Sequence, residues 1–253
     1  MSPVSRRARA VGGAAAAAVP PGTPGEGPPA RATEAMASRA SESQSAESAA
    51  WSFIPKQATL AELGRAAQRC TACDLYKNAT QAVMGAGPAG ARLLLVGEQP
   101  GDKEDLAGQP FVGPAGRLLD ELLEAAGIAR REVFLTNAVK HFKWEPRGKV
   151  RLHQKPTLGE VRACRPWLEA EIALVRPRGI VCLGAVAFQA LMGGQARITR
   201  DRGQFFETPW GSWLTVTLHP SAVLRMPDAA RRREARAQLL HDLDQAARRL
   251  ASS

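Results

Sequence analysis

The chain has 253 residues, 45% of them hydrophobic, and a net charge of +10. That length holds one domain of about 200 residues plus a tail, and no apolar run approaches the roughly 18 residues a membrane helix needs. Residues 1–55 contribute five Arg and four Glu, so nearly all of the positive charge lies beyond them. A basic folded part suggests a polyanion partner, nucleic acid before membrane surface.

Residues 1–50 are Ala, Gly, Pro, Ser, Arg and Glu with almost no large aliphatic side chain. They cannot bury enough apolar surface to offset the entropy of ordering, so a disordered extension is expected. Arg6-Arg7 before the run Ala14–Ala18 superficially resembles an export signal. The apolar stretch is weak and prolines follow, so the expected location is cytoplasmic. The domain is predicted over residues 51–253. Thr59 to Gln68 reads as a short helix that delivers Cys70 and Cys73. Arg92–Val96 is an apolar run read as a buried strand, followed by a polar loop from Glu98 to Phe111. Arg117 to Ala126 repeats Leu at helical spacing and stops at Gly127.

Val133–Thr136 reads as the next strand, then a long polar loop runs from Asn137 to Pro156. Leu158–Val175 is a helix, Gly179–Leu183 a strand, Ala185–Met192 a helix, and Ile198–Phe206 less regular. Trp213–Leu218 is a strand, His219-Pro220 opens a loop, and Ala229–Leu250 is a basic closing helix. Alternating strands and helices predict an α/β fold, a three-layer α/β/α sandwich with a mostly parallel sheet. The loops after three strands, at Glu98, Asn137 and His219, then converge on the carboxyl edge of the sheet. Open α/β folds bind ligands there.

Four cysteines are present: Cys70, Cys73, Cys164 and Cys182. A C-x-x-C in such a chain favours metal or cluster ligation over disulfides. Cys182 lies inside an apolar strand and reads as a buried small hydrophobe.

The stretches G-E-x-P-G-x-x-E-D from Gly97, G-x-P-F-V-G-x-A-G from Gly108, T-N-x-V-K from Thr136 and H-P-S from His219 carry a family resemblance. Together they resemble the iron–sulfur uracil-DNA glycosylases of family 4 over about residues 58–250. Three features resemble the X-type (UdgX) branch. Gln99 stands where family 4 usually has Gly. His141 stands in the place of a Cys. The loop Gly148-Lys149-Val150-Arg151-Leu152-His153 is similar to that branch's basic K-R-R-I-H insertion, with Val150 in place of a basic residue.

The resemblance implies the uracil-DNA glycosylase fold and a pocket for an extruded base. Phe111 stacks the base, Asn137 reads its edge with an amide that both donates and accepts, and Gln99 lies beside them. His219 stabilises the departing uracil anion, while Glu98 and Asp102 face the sugar cation. His153 is the expected nucleophile, capturing the sugar C1′ and leaving the protein attached to the abasic site. The alternative is an ordinary turnover enzyme in which water takes that role. Lys149, Arg151, Ser221 and Arg225 are the expected DNA contacts. The resemblance also implies that Cys70, Cys73, His141 and Cys164 hold a 4Fe-4S cluster. Three thiolates and one imidazole equally suit zinc, which would fit a non-catalytic nucleic-acid binding module. The expected partner is uracil-containing DNA, preferably single-stranded, bound by a monomer.

Overall fold

The computed structural model describes residues 49–252, so the expectation of disorder over residues 1–50 falls almost wholly outside the described residues. The first helix, α1, is Leu60–Ala67, started by a reciprocal capping box between Thr59 and Glu62. Strand β1 is Leu93–Gly97 and β2 is Val133–Asn137. Between them lie a short helix α2, Asp102–Ala107, and a longer α3, Pro114–Ala125. Pro114 opens α3 where a missing N–H costs nothing. Sequence pattern alone reads residues 98–111 as loop, because six helical residues are too few to show a period.

The stretch from Asn137 to Pro156 is where the structure departs most from the expected loop. It contains an antiparallel hairpin, β3 Trp144–Arg147 and β4 Val150–His153, turned at Gly148 with φ +60°. The hairpin is mostly exposed, and the Val150–Leu152 alternation in β4 spans only four residues, so its pattern was too short to announce it. Helix α4, Leu158–Val175, begins with a second capping box, Thr157 with Glu160. Then come β5 Gly179–Leu183, α5 Ala185–Met192, a short α6 Ile198–Asp201 and β6 Phe205–Glu207. Strand β7 is Trp213–Thr217, followed by α7 Pro220–Leu224 and the closing α8 Ala229–Ala251.

The main sheet of the described residues runs β2-β1-β5-β7-β6. All neighbours pair parallel except β6 against β7. Every residue of β1, β2, β5 and β7 is buried, as expected for strands covered on both faces. The two faces build separate cores. Leu94, Val96, Ile180, Cys182 and Val216 pack under α1, α4 and α5 with Leu63, Trp167 and Phe188. Leu93, Leu95, Val181 and Leu183 pack under α3 and α8 with Leu119, Leu122, Leu239 and Leu243. Each fully buried Leu contributes on the order of 1.5–3 kcal/mol before entropy is counted. The result is the three-layer α/β/α sandwich that the alternation predicts.

Strand β1 pairs with β2 on one side and β5 on the other, so the chain reverses direction across the sheet at β1. The crevice at such a reversal, outside the carboxyl ends of the strands, is the usual ligand site.

Candidate active site

The end of β1 sets the geometry. A Cβ on Gly97 would run into the Asn137 amide oxygen and the Phe111 ring. Glycine there lets both side chains close over the strand end. Gly97 and Asn137 are register partners, so the sheet itself fixes that pairing. Phe111 is buried and has φ 58°, the left-handed region that a bulky residue rarely adopts. Such a conformation costs of order 1–3 kcal/mol and persists where surrounding contacts over-determine it. Gly116 supplies one such contact, since any side chain there would strike the Phe111 carbonyl.

His219 completes this group. Its ring lies nearly parallel to Phe111, centroids 6.3 Å apart and planes 26° from each other. Nδ1 accepts from the Ser221 backbone N–H at 3.1 Å, with Ser221 Oγ at 2.8 Å. That network assigns the ring proton to Nε2, which is then a donor. Burial, Arg225 and His153 together push the His219 pKa down to about 4, so the ring is neutral at pH 7. Ser221, expected on DNA, therefore also orients His219.

Glu98 follows Gly97 directly. Its carboxylate lies 3.7 Å from His153 Nε2, just beyond hydrogen-bond reach. Burial raises the Glu98 pKa, opposed by Lys155 and Arg225. Burial, then Arg225, lowers that of His153. His153 ends β4, and its ring meets Phe142 at 6.0 Å. Glu98, Phe111, Asn137, His153 and His219 are thus brought to one edge. Arg225 is exposed and acts electrostatically on Glu98, His153 and His219.

Other expected site residues are engaged within the fold. The Gln99 amide donates to the carbonyls of Lys143 (3.2 Å) and Gln154 (3.0 Å) and accepts from the Lys143 N–H (3.2 Å). It clasps the base of the hairpin. Asp102 and Arg151 pair with each other at 2.6 Å. Arg151 also bonds the fully buried Asp105 at 2.6 Å and lies over Phe142 and Trp144. Of the two expected basic contacts in this loop, Lys149 is exposed at the hairpin tip while Arg151 holds the hairpin to α2.

The expected 4Fe-4S site is corrected by the structure. Among the described residues no group of three or more His, Cys, Asp or Glu side chains is placed to hold a metal ion. Cys70, Cys73 and Cys164 are near enough to influence each other's ionisation. Burial pushes the Cys73 pKa up to about 11 and the Cys164 pKa up to about 12. Cys164 Sγ accepts from the Lys140 N–H at 3.1 Å, and Cys70 Sγ from Trp167 Nε1 at 3.2 Å. Burial pushes the His141 pKa down to about 4, and its charged neighbour is Asp105, not a cysteine. The same finding removes the zinc alternative. Cys182 lies fully buried in the core.

One positioning element has no counterpart in the sequence reading. Lys140 is fully buried, and its Nζ donates to Glu171 Oε2 (2.7 Å), Thr136 Oγ1 (2.8 Å) and the Asn137 carbonyl (2.7 Å). Glu171 Oε1 accepts from the Gly85 N–H at 2.6 Å. An acid at position 171 on the apolar stripe of α4, beside Trp167, Leu168 and Ile172, is the signal that could have disclosed it.

Comparison with known proteins agrees with this geometry. The model of the uracil DNA glycosylase superfamily matches residues 84–244. The type-4 uracil-DNA glycosylase of Thermotoga maritima is 39% identical over 71% of this chain and 88% of its own length. That of Archaeoglobus fulgidus is 38% identical over 67% of this chain and 85% of its own. A type-5 uracil-DNA glycosylase of Thermus thermophilus is 33% identical over 55% of this chain and 68% of its own. With the matched region spanning all five strands of the main sheet and the edge at which Glu98, Phe111, Asn137 and His219 meet, the chain belongs to the uracil-DNA glycosylase superfamily, among homologues of its type-4 members.

Proposed function

We propose that this protein is a turnover uracil-DNA glycosylase of the type-4 kind, acting preferentially on single-stranded DNA as a monomer. The observation that carries this reading is the meeting of Phe111 and Asn137 over Gly97, beside a neutral His219. The extruded base stacks on Phe111. Asn137 donates to a uracil carbonyl and accepts from the ring N–H, a pairing that cytosine does not match. As the C1′–N1 bond breaks, its electron pair goes to uracil. His219 Nε2–H donates to that anion without transferring its proton. Glu98 accepts a proton from the water that attacks C1′, giving the abasic sugar.

A second reading is favoured by the 3.7 Å approach of His153 Nε2 to Glu98. A neutral imidazole held there attacks C1′ itself, and the adduct persists as in the X-type branch. Wild-type protein mixed with a uracil-containing oligonucleotide and run on a denaturing gel distinguishes the two. Abasic product without a shifted band supports turnover. A shifted band that His153→Ser abolishes, with abasic product appearing instead, supports capture. Neither product nor shift would overturn both. Asn137→Asp is expected to weaken excision by replacing a donor with a charged acceptor.

A further inference from the structure

A cavity of about 430 Å³ opens between the first turns of α4 and the length of α5. Its floor is largely apolar, with Val161, Val186 and Ala190 beside Gln189. Its rim carries Lys155, Arg162 and Arg165, and no carboxylate lines it. Arg165 is tied to Glu169 at 2.9 Å, whereas Arg162 has no hydrogen bond or ion pair among the described residues. Leu158 remains 60% exposed, an apolar side chain left at the mouth.

Two of the elements that bound the cavity also reach the site already described. Lys155 lies two residues beyond His153 and acts on Glu98 electrostatically. Helix α5 starts from Gly184, whose α-carbon faces the His219 side chain.

A largely apolar floor under a wholly cationic rim complements a nucleotide, which joins a flat, largely apolar base to an anionic phosphate. The volume falls within the range of small-molecule sites, roughly 300–1,000 Å³. We infer that this cavity receives an unpaired nucleotide of the same DNA strand, flanking the extruded uracil. Its phosphate faces Lys155 and Arg162, and its sugar and base lie against Leu158, Val186 and Ala190. The inference rests on the proposed glycosylase reading, since it presupposes a DNA substrate at the neighbouring site. Gln189 is the one uncharged polar side chain of the lining, and its Nε2 is committed to the Ala196 carbonyl, so discrimination between bases there is expected to be weak.

The test uses the full chain and a series of single-stranded oligonucleotides with one uracil, lengthened one nucleotide at a time on either side. Extension on one side is expected to raise kcat/KM by about tenfold as the cavity fills, the size of one stacked and phosphate-anchored nucleotide. Arg162→Glu, on the rim, and Ala190→Trp, on the floor, should each erase that increment. Both should cleave the shortest oligonucleotide as wild type does. Arg162→Glu should also lower the salt dependence of binding by about 0.7 in the log–log slope. Cleavage with no increment on either side overturns this inference and leaves the glycosylase reading standing. An increment that survives Ala190→Trp overturns it too, because the nucleotide then lies outside the cavity. No binding or cleavage at any length overturns both. Circular dichroism shows whether Ala190→Trp has folded, and the surface variant Arg162→Glu decides alone if it has not.

Discussion

Gly97 carries a large share of the site with no side chain at all. Alanine there would press a methyl group into Phe111 and the Asn137 amide. Overpacking of this kind costs about 1–3 kcal/mol, and displacing a positioned group by about 1 Å can cost 100-fold in rate. Gly97→Ala is therefore expected to lower the rate of uracil excision by about 100-fold while melting only modestly earlier. Equal activity would mean that the two side chains do not need their close approach. Lys140 is the second such residue. Its ammonium is bound to the Asn137 carbonyl and paired with Glu171 in a dry interior. Removing one partner strands a buried charge, typically about 3–5 kcal/mol, whereas replacing both by apolar side chains costs much less. Lys140→Met should lower the urea midpoint strongly, and Lys140→Met/Glu171→Met should recover part of it. A double variant no better than the single one would show that the pair is uncoupled. That Phe111, Asn137 and His219 meet at one edge was legible in the sequence because each sits in a short motif at or beyond the carboxyl end of a strand. Lys140–Glu171 was not, because its partners are 31 residues apart and only the fold brings them together.

The hairpin is the element whose existence the sequence concealed. Its residues are mostly exposed, no alternation marks β3, and that of β4 spans only four residues. Its anchorage comes from side chains remote in sequence: Arg151 to Asp102 and Asp105, and Gln99 to Lys143 and Gln154. The Arg151 guanidinium, moreover, sits on two aromatic faces, at 5.4 Å from Phe142 and 5.5 Å from Trp144. Arg151→Met should therefore loosen the hairpin without unfolding the sandwich. Hydrogen exchange is expected to quicken across residues 144–153 and stay slow in β1 and β5. Uniform quickening would mean that Arg151 supports the whole domain. The cysteine spacing led in the other direction. C-x-x-C is a local pattern, but ligation is a property of the packed site, and among the described residues no three ligand side chains are placed to hold a metal ion.

Across the whole molecule, the long helices and strands emerged near their observed bounds because each is a continuous buried run or a leucine stripe. That was enough to give the three layers and the edge where the site forms. Short α2, α6 and β6 lay below the length at which a period shows. A stability profile against pH follows from the packed site. An isolated His titrates near 6.5, but the folded chain holds His219 at about 4 and His153 below its ordinary value. Burial is the first cause for both, and Arg225 opposes protonation of both. Their neutral forms favour folding fully above pH 6.5, and that contribution is lost as pH falls toward about 4. The raised pKa of Glu98 acts the opposite way, relieving strain as its carboxylate is protonated. Urea midpoints should thus fall between pH 7 and pH 4.5, and His219→Gln should flatten the fall. An identical slope in the variant would exclude His219 as its source.

Among the described residues the hairpin pairs only with itself and joins no strand of the main sheet. Gly97 and Asn137 end β1 and β2, and His219 follows β7, strands that are buried between the two cores. His153, whose Nε2 lies 3.7 Å from Glu98, rides on a two-stranded ribbon bolted down by a few side chains. On the capture reading proposed above, the ribbon can change the fate of the sugar independently of the strand ends that carry Gly97 and Asn137. Val150, 63% exposed next to the turn, lies on the ribbon and apart from those strand ends.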